Sequence, residues 1–395
     1  MSVVSPNRTA CHGGFPDRVD QDVLSYPGDM SKPWSIGVEC HSEVASAILP
    51  SACVNGPGRP DRVSARKAGR DDGRRFGRPR APGRDGQAGP APERTRLHRE
   101  ECMMKIGVSS FSYERLTKAN ELSMKDTIAM AREQGFDCIE LLDIWRQAPD
   151  CEAPHRLAEG LREEAERVGI ELCCYTVAAD FLKCPDGDVA REVERIKVAV
   201  DLAAVLGVPV MRHDASYGFP ADHAGLKSFD IALPLLRDAC LEITEYAAES
   251  GVKTMVENHG RFCQDSLRVE KLVTAVNHSN FGVLIDIGNF VCVDEDNSVA
   301  VGRLAPYAFH CHAKDFHLKA GTGLFPGRGW NVSRGGNFWR GAIIGHGDVA
   351  LLPCIRALKQ AGYDGALAIE FEGMEDVLTG IASGHENLRR LIDMA

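Results

Sequence analysis

GVKTMVENHGRFCQDSLRVEKLVTAVNHSNFGVLIDIGN, residues 251–289, contains one copy of the unit that decides the fold. Two short runs rich in aliphatic and β-branched residues, KTMVEN (253–258) and GVLIDI (282–287), flank a stretch of helical periodicity at 266–277. A short, nearly continuous apolar run suits a strand covered on both faces, and a helix between two such strands supplies a parallel crossover. Gly251 stands just ahead of the first strand, where a helix ends well on a residue free to take positive φ.

The same unit recurs in both directions from Met104 to the C-terminus. The remaining strands read as KIGVSS (105–110), CIELL (138–142), ELCCYTV (171–177), PVMRH (209–213), FHCHAK (309–314) and ALAIEF (366–371). Helices are expected near 123–134, 154–168, 188–206, 230–250, 298–304, 349–361 and 376–393, with Gly135, Gly169, Gly207 and Gly362 at their ends. Eight strands alternating with eight helices over about 290 residues is the count and size of an α/β (β/α)8 TIM barrel. A doubly wound open sheet is the competing arrangement. Its dinucleotide-binding form is disfavoured because no G-x-G-x-x-G follows the first strand.

Upstream, the chain changes character. Between residues 59 and 100 it carries thirteen Lys/Arg against six Asp/Glu, with abundant Gly and Pro and almost no apolar residues. Such a segment cannot offset the entropy of ordering. Residues 1–103 are therefore expected to be a disordered Arg/Gly/Pro-rich extension, and 104–395 the barrel domain. Met103 and Met104 directly precede the first strand, which also fits a start of translation at that point.

Bulk properties narrow the function classes. The chain of 395 residues has a net charge of −10 and is 44% apolar, which argues against nucleic acid as the main partner. No apolar run reaches 18 residues and the N-terminus lacks a secretory pattern, so no membrane span or signal is expected. Fourteen cysteines show no C-x-x-C zinc spacing; Cys138, Cys173, Cys174, Cys240, Cys311 and Cys354 fall within apolar patterns. Reduced thiols and a cytoplasmic location are the reading that follows.

Catalytic residues of a TIM barrel project from the C-terminal ends of its strands. Here those ends carry Glu140, Arg212-His213-Asp214, Glu257-Asn258-His259, Asp286, His310 and His312 with Lys314, and Glu370. A polar residue leaving the core accounts for any one of them. It accounts poorly for Glu257 and Glu370, which follow the apolar runs TMV and LAI and are costly to bury without a partner. One cation shared by Glu257, Asp286, His312 and Glu370 would satisfy all four. Three carboxylates and an imidazole favour Mn, Mg or Co over a thiolate-type zinc site, with Zn and Fe compatible. His310 shares a strand face with His312, the latter being nearer the rim. Glu140, His213, His310 and Lys314 are expected to contact substrate, and the loop histidines His259, His317 and His346 to be no ligands.

The segment Met104–Ala395 resembles the sugar phosphate isomerase/epimerase family, whose members are xylose-isomerase-like TIM barrels. The motifs that carry the likeness are IELLD (139–143), VENHG (256–260), LIDIGN (284–289), HCHAKD (310–315), GHGDV (345–349) and AIEFEG (369–374). The resemblance implies metal ligands at Glu257, Asp286, His312 and Glu370, the four already chosen. Many relatives place His three residues after the aspartate; Asn289 stands there instead. The apurinic endonucleases of the same superfamily, with three zinc ions, fit badly. Asn289 breaks their D-x-x-H, and strand three ends in Tyr175-Thr176-Val177 without a histidine.

The implied activity is metal-dependent isomerisation or epimerisation of a sugar or keto-sugar through an enediolate, with Glu257 and Glu370 as the acid/base pair. The same site would serve a dehydratase or lyase acting on a keto-sugar or 3-keto glycoside. A non-catalytic barrel subunit is the minor alternative, and its mark would be a missing ligand. A small sugar is the expected partner, with a homo-oligomer allowed. The stretch 316–349, holding Arg328, Trp330, Arg334, Phe338, Trp339 and Arg340, is expected to be a long loop covering the site. Its aromatics suit sugar rings and its arginines a phosphate or carboxylate; contact with a neighbouring subunit is the alternative.

Overall fold

The repeats close on themselves. In the computed structural model, which describes residues 104–148, 153–184 and 187–395, seven strands come first: β1 Lys105–Ser109, β2 Cys138–Leu142, β3 Glu171–Val177, β4 Val210–His213, β5 Lys253–Glu257, β6 Phe281–Asp286 and β7 Ala308–Ala313. There follow β8 Asp315–Lys319, β9 Asn331–Val332, β10 Phe338–Ala342 and β11 Ala366–Ile369. Eight of these form a closed barrel in the order β1-β11-β7-β6-β5-β4-β3-β2, every neighbouring pair parallel. Closure rules out the open sheet. The expectation for residues 1–103 lies outside the described residues.

All eight expected helices are present, from Met124–Glu133 to Val377–Met394. Their ends follow local chemistry. The helix Ser266–Val276 starts on Asp265, whose side chain accepts from the Arg268 backbone N–H, and stops on Asn277 at φ 48. No helix among the described residues is long and apolar enough to cross a membrane. The described cysteines are all buried and free of disulfides.

Parity along the strands decides what the site contains. Cys138, Cys174, Val210, Met255, Leu284 and Ala366 come from six different barrel strands yet pack in one small cluster, which is possible only inside the barrel. Their neighbours Ile139, Tyr175, Met211, Val256, Val283 and Leu367 belong to the larger core under the helices. Side chains alternate along a strand. Counting on by two from the inner set places Glu140, Arg212, Glu257 and Asp286 inside, whereas His213 shares the outward parity of Met211. Cys311 and Ala313 pack outward, so His310 and His312 face inward.

The stretch expected to be a loop is not one. β8, β10 and β9 form a separate antiparallel three-stranded sheet, with Arg340 opposite His317 and Trp339 opposite Leu318 and Asn331. Gly341 lets β10 lie against the chain after β11, since any side chain at 341 would run into the Glu372 carbonyl. The sheet is tied to the loops after β5 and β6. Ser333 Oγ and Asn337 Nδ2 donate to Asp294 Oδ1 at 2.6 and 2.7 Å, and the Arg334 guanidinium meets Asp265 Oδ2 at 3.0 Å.

Candidate metal centre

Four ends of adjacent strands converge inside the barrel mouth. One atom each from Glu257, Asp286, His312 and Glu370 lies within 4.8 Å of the other three. His312 Nδ1 stands 3.9 Å from Glu257 Oε1, 3.7 Å from Asp286 Oδ2 and 3.6 Å from Glu370 Oε2. The register explains the meeting: Asp286 on β6 pairs with His312 on β7, and β5 and β11 flank those two strands.

Two of the four converging groups are incomplete as the chain stands. Asp286 Oδ2 and His312 Nδ1 are buried and have no hydrogen-bond partner. An unsatisfied buried polar atom costs about 1–3 kcal/mol, so its persistence asks for a ligand. Several of the other atoms are held by the protein. Asp286 Oδ1 accepts from the backbone N–H groups of Gly288 and Asn289 at 2.8 and 2.9 Å. Asn289 Nδ2 donates to Glu257 Oε1 at 2.9 Å, and Asn258 pins the Asp286 backbone from both sides. A set of three carboxylate oxygens and one imidazole nitrogen with unpaired buried atoms fits a divalent cation.

Two cations border the cluster. Lys314 Nζ donates to Glu370 Oε2 at 2.6 Å and lies 3.0 Å from Glu372 and 3.5 Å from Asp286. Arg212 spans Glu257 Oε2 at 2.6 Å and Asp214 Oδ1 at 2.8 Å. Asp214 in turn takes the Tyr217 hydroxyl at 2.8 Å and lies 3.0 Å from His259 Nδ1. The ionisations follow from these contacts. Burial pushes the Glu257 carboxyl up, and Arg212 offsets that only in part. Burial acts the same way on Glu370, but Lys314 and His312 outweigh it and hold this carboxyl well below the usual range. Burial disfavours a charged His312, yet Glu140 and Glu370 raise it well above its ordinary value.

The substrate-contact expectations fare unevenly. Lys314 does reach the cluster. Glu140 is completely buried, accepts from Ser109 Oγ at 2.9 Å and lies 2.7 Å from His312 Nε2, so its oxygens are occupied by the protein. His310, two residues deeper on β7, is buried with Nε2 at 3.1 Å from the same Glu140 oxygen. His213 is turned away from the cluster. Its ring lies in the outer layer, edge-on to Phe181 at 5.9 Å, and burial pushes it down to about 4, so it is neutral. Arg212, Asn258 and Glu372 were given no role from sequence, and Asn289 was noted only as a departure from the family pattern; the strand pairing, not the hydropathy of PVMRH, turns Arg212 inward in place of His213.

Among the residues between β7 and the helix Leu351–Ala361, Trp339 is linked to the cluster only through a neighbour. It packs on Phe316 at 4.6 Å, and Lys314 Nζ lies 5.7 Å from the Phe316 ring. Arg334 is consumed by Asp265 and the Arg261 carbonyl, Arg328 is exposed, and Arg340 lies 3.8 Å from Glu375. Trp330 stands between Lys319 and Arg340, and Phe338 packs edge-on to Phe325.

Residues 128–391 match the family model described as xylose isomerase-like TIM barrel. The chain belongs to that family. No curated protein sequence matches it. Among solved structures, members of this fold include a xylose isomerase domain protein from Planctomyces limnophilus. It is 18% identical with a TM-score of 0.57, covering 74% of this chain and 98% of that one. A D-allulose 3-epimerase from Methylomonas sp. is 16% identical, TM-score 0.55, covering 73% and 98%. A probable 3-DHS dehydratase involved in petrobactin synthesis, from Bacillus anthracis, is 18% identical, TM-score 0.55, covering 72% and 99%. At such identities these likenesses speak to the fold.

Proposed function

We propose that this barrel is a divalent-metal-dependent isomerase or epimerase of a keto-sugar, with the ion held by Glu257, Asp286, His312 and Glu370. The observation that carries the reading is the pair of unpartnered buried atoms, Asp286 Oδ2 and His312 Nδ1, aimed into a ring of carboxylates. Mn, Mg or Co suits the oxygen-rich donors. When bound, such an ion supplies stabilisation of the negative charge that develops on a carbonyl oxygen as the neighbouring carbon loses a proton.

The chain's own groups do the rest. Glu257 and Glu370 come from strands on either side of β6 and β7. That separation supports a reading in which one takes a proton from one face of the sugar and the other returns one to the opposite face. Arg212 and Asn289 hold the Glu257 carboxylate in orientation, and Lys314 does so for Glu370. The Lys314 ammonium also offers a donor to a sugar oxygen. That donor favours a second reading, in which the same carboxylates remove the proton and Lys314 protonates a leaving group β to the carbonyl, a dehydratase or lyase. A non-catalytic barrel is disfavoured because all four groups are present and converge.

Metal-loaded full-length protein incubated with a panel of keto-sugars in D2O tests this. Deuterium at the α-carbon with unchanged mass otherwise supports the isomerase reading, and a product lighter by water or an aglycone supports elimination. Absence of both across the panel, with metal bound, sinks the enzyme reading.

A further inference from the structure

We infer that Glu140 is a positioning residue, whose carboxylate fixes the His312 imidazole with its proton on Nε2 and so turns the Nδ1 lone pair toward Glu257, Asp286 and Glu370. The inference rests on the metal-centre reading above. An imidazole that ligates an ion gives up its second proton and carries one, and an ionised carboxylate is an acceptor only. With Glu140 Oε2 at 2.7 Å in hydrogen-bond alignment, the proton belongs on Nε2. Nδ1 is then the acceptor nitrogen, and it is the atom left without a protein partner among three carboxylates. A ligating histidine commonly has its second nitrogen fixed this way, which sets tautomer and ring orientation together.

Glu140 is itself held. It is fully buried on β2 and occupies an inward position between the outward Ile139 and Leu141. Ser109 Oγ on the neighbouring β1 donates to its other oxygen. His310 Nε2 lies 3.1 Å from Oε2 but does not meet hydrogen-bond geometry there. The carboxylate therefore has neither the exposure nor a free oxygen for a sugar hydroxyl. Glu140, His310 and His312 also lie close enough to hold a cation of their own. The aligned 2.7 Å contact favours the proton, since a second ion would have to displace it from His312 Nε2.

Two variants separate position from charge. Glu140→Gln removes the charge but keeps an oxygen that can accept from Nε2–H; Glu140→Ala removes both. Full-length protein, labelled with 15N-histidine and loaded with diamagnetic Mg(II), reports the His312 tautomer by NMR. Titration with Mn(II) alone reports affinity and stoichiometry. The expected result is Nε2–H in the wild type and in E140Q. In E140A that signature is lost and Mn(II) affinity falls about 10–100-fold, with a smaller loss in E140Q. An unchanged tautomer in E140A, or equal losses in both variants, overturns the inference while leaving the metal centre standing. Two equivalents of Mn(II), one of them lost in His310→Ala, overturns it in favour of a second ion. No Mn(II) bound by the wild type removes the metal centre itself. Should E140A fail to fold, E140Q decides alone: Nε2–H retained with Mn(II) affinity below the wild type supports the inference, and Mn(II) affinity at the wild-type value overturns it.

Discussion

Asp286→Asn probes the metal centre through stability, without assuming any substrate. Asp286 is fully buried and its two oxygens differ. Oδ1 accepts from the Gly288 and Asn289 N–H groups, whereas Oδ2 has no hydrogen bond and stands 3.5 Å from Lys314 Nζ and 3.7 Å from His312 Nδ1. Asparagine can keep the first pair of contacts and puts an amide NH2 where Oδ2 was. Glu257, Glu370 and Glu372 surround the same space, so without an ion the loss of one negative charge brings relief. An unsatisfied buried acceptor costs about 1–3 kcal/mol. In EDTA the variant is therefore expected to melt higher than the wild type, by roughly 5 °C at the conversion of about 2–4 °C per kcal/mol for a large domain. With Mn(II) at 100 times its Kd the wild type gains about 2.7 kcal/mol, or roughly 5–10 °C, and D286N is expected to gain almost none. Thermal unfolding followed by circular dichroism, with and without Mn(II), reads both numbers. A variant that is less stable than the wild type in EDTA and keeps the full Mn(II) increment refutes the assignment.

Two further perturbations follow from the same geometry. Arg212→Met strands Glu257 and Asp214 as buried carboxylates without their cation, and is expected to cost about 3–5 kcal/mol. Urea unfolding at constant m-value checks it, and a loss under 1 kcal/mol would show that the two acids are satisfied elsewhere. His213 has an ordinary value of 6.5 and is pushed by burial down to about 4 in the fold. Between those values the unfolded chain binds the extra proton, so stability is full above pH 6.5 and falls as pH is lowered toward 4, by about 3 kcal/mol in all. His213→Phe, in a pocket already lined by Phe181 and Phe281, should flatten that part of the pH profile; an unchanged slope in urea midpoints from pH 7 to 4 would contradict the assignment.

How much of this was readable in the sequence depends on which physical signal each feature leaves. The barrel strands were legible because parallel strands covered on both faces are short apolar runs, set off by helices with clear starts and stops. That same double coverage hides the phase of each strand. In PVMRH both Val210 and Met211 are apolar, so hydropathy cannot say whether Arg212 or His213 looks inward. The answer lies in the pairing of Arg212 with Met255, two residues before Glu257, and pairing is a tertiary fact. The sheet of β8, β9 and β10 was missed for another reason. Its strands are two to five residues long and separated by AGTGLFPGRG, a Gly- and Pro-rich connection that reads as loop throughout. Glu140 announced itself as an acid in an apolar strand, but its partner His312 lies 172 positions away.

Asn289 shows how a departure from the family pattern is absorbed. Many members of the family that the sequence resembles carry histidine at this place, where an imidazole could add a ligand or a substrate contact. Asn289 sits on the turn that begins the short helix Asn289–Val293, so its backbone N–H still serves Asp286 Oδ1. Its side-chain Nδ2 donates to Glu257 Oε1. The amide nitrogen has no lone pair to offer a cation, and here it holds the Glu257 carboxylate instead. The proposed donor set is then three carboxylates and a single imidazole, with Arg212 and Asn289 together constraining Glu257 from its two oxygens. A harder, less nitrogen-rich site binds zinc less selectively than its histidine-bearing counterpart would. Asn289→His should therefore shift metal preference toward Zn(II) relative to Mn(II), measured by competition at equilibrium. An unaltered preference would mean that residue 289 does not face the ion at all, and that Asn289 acts only through Glu257.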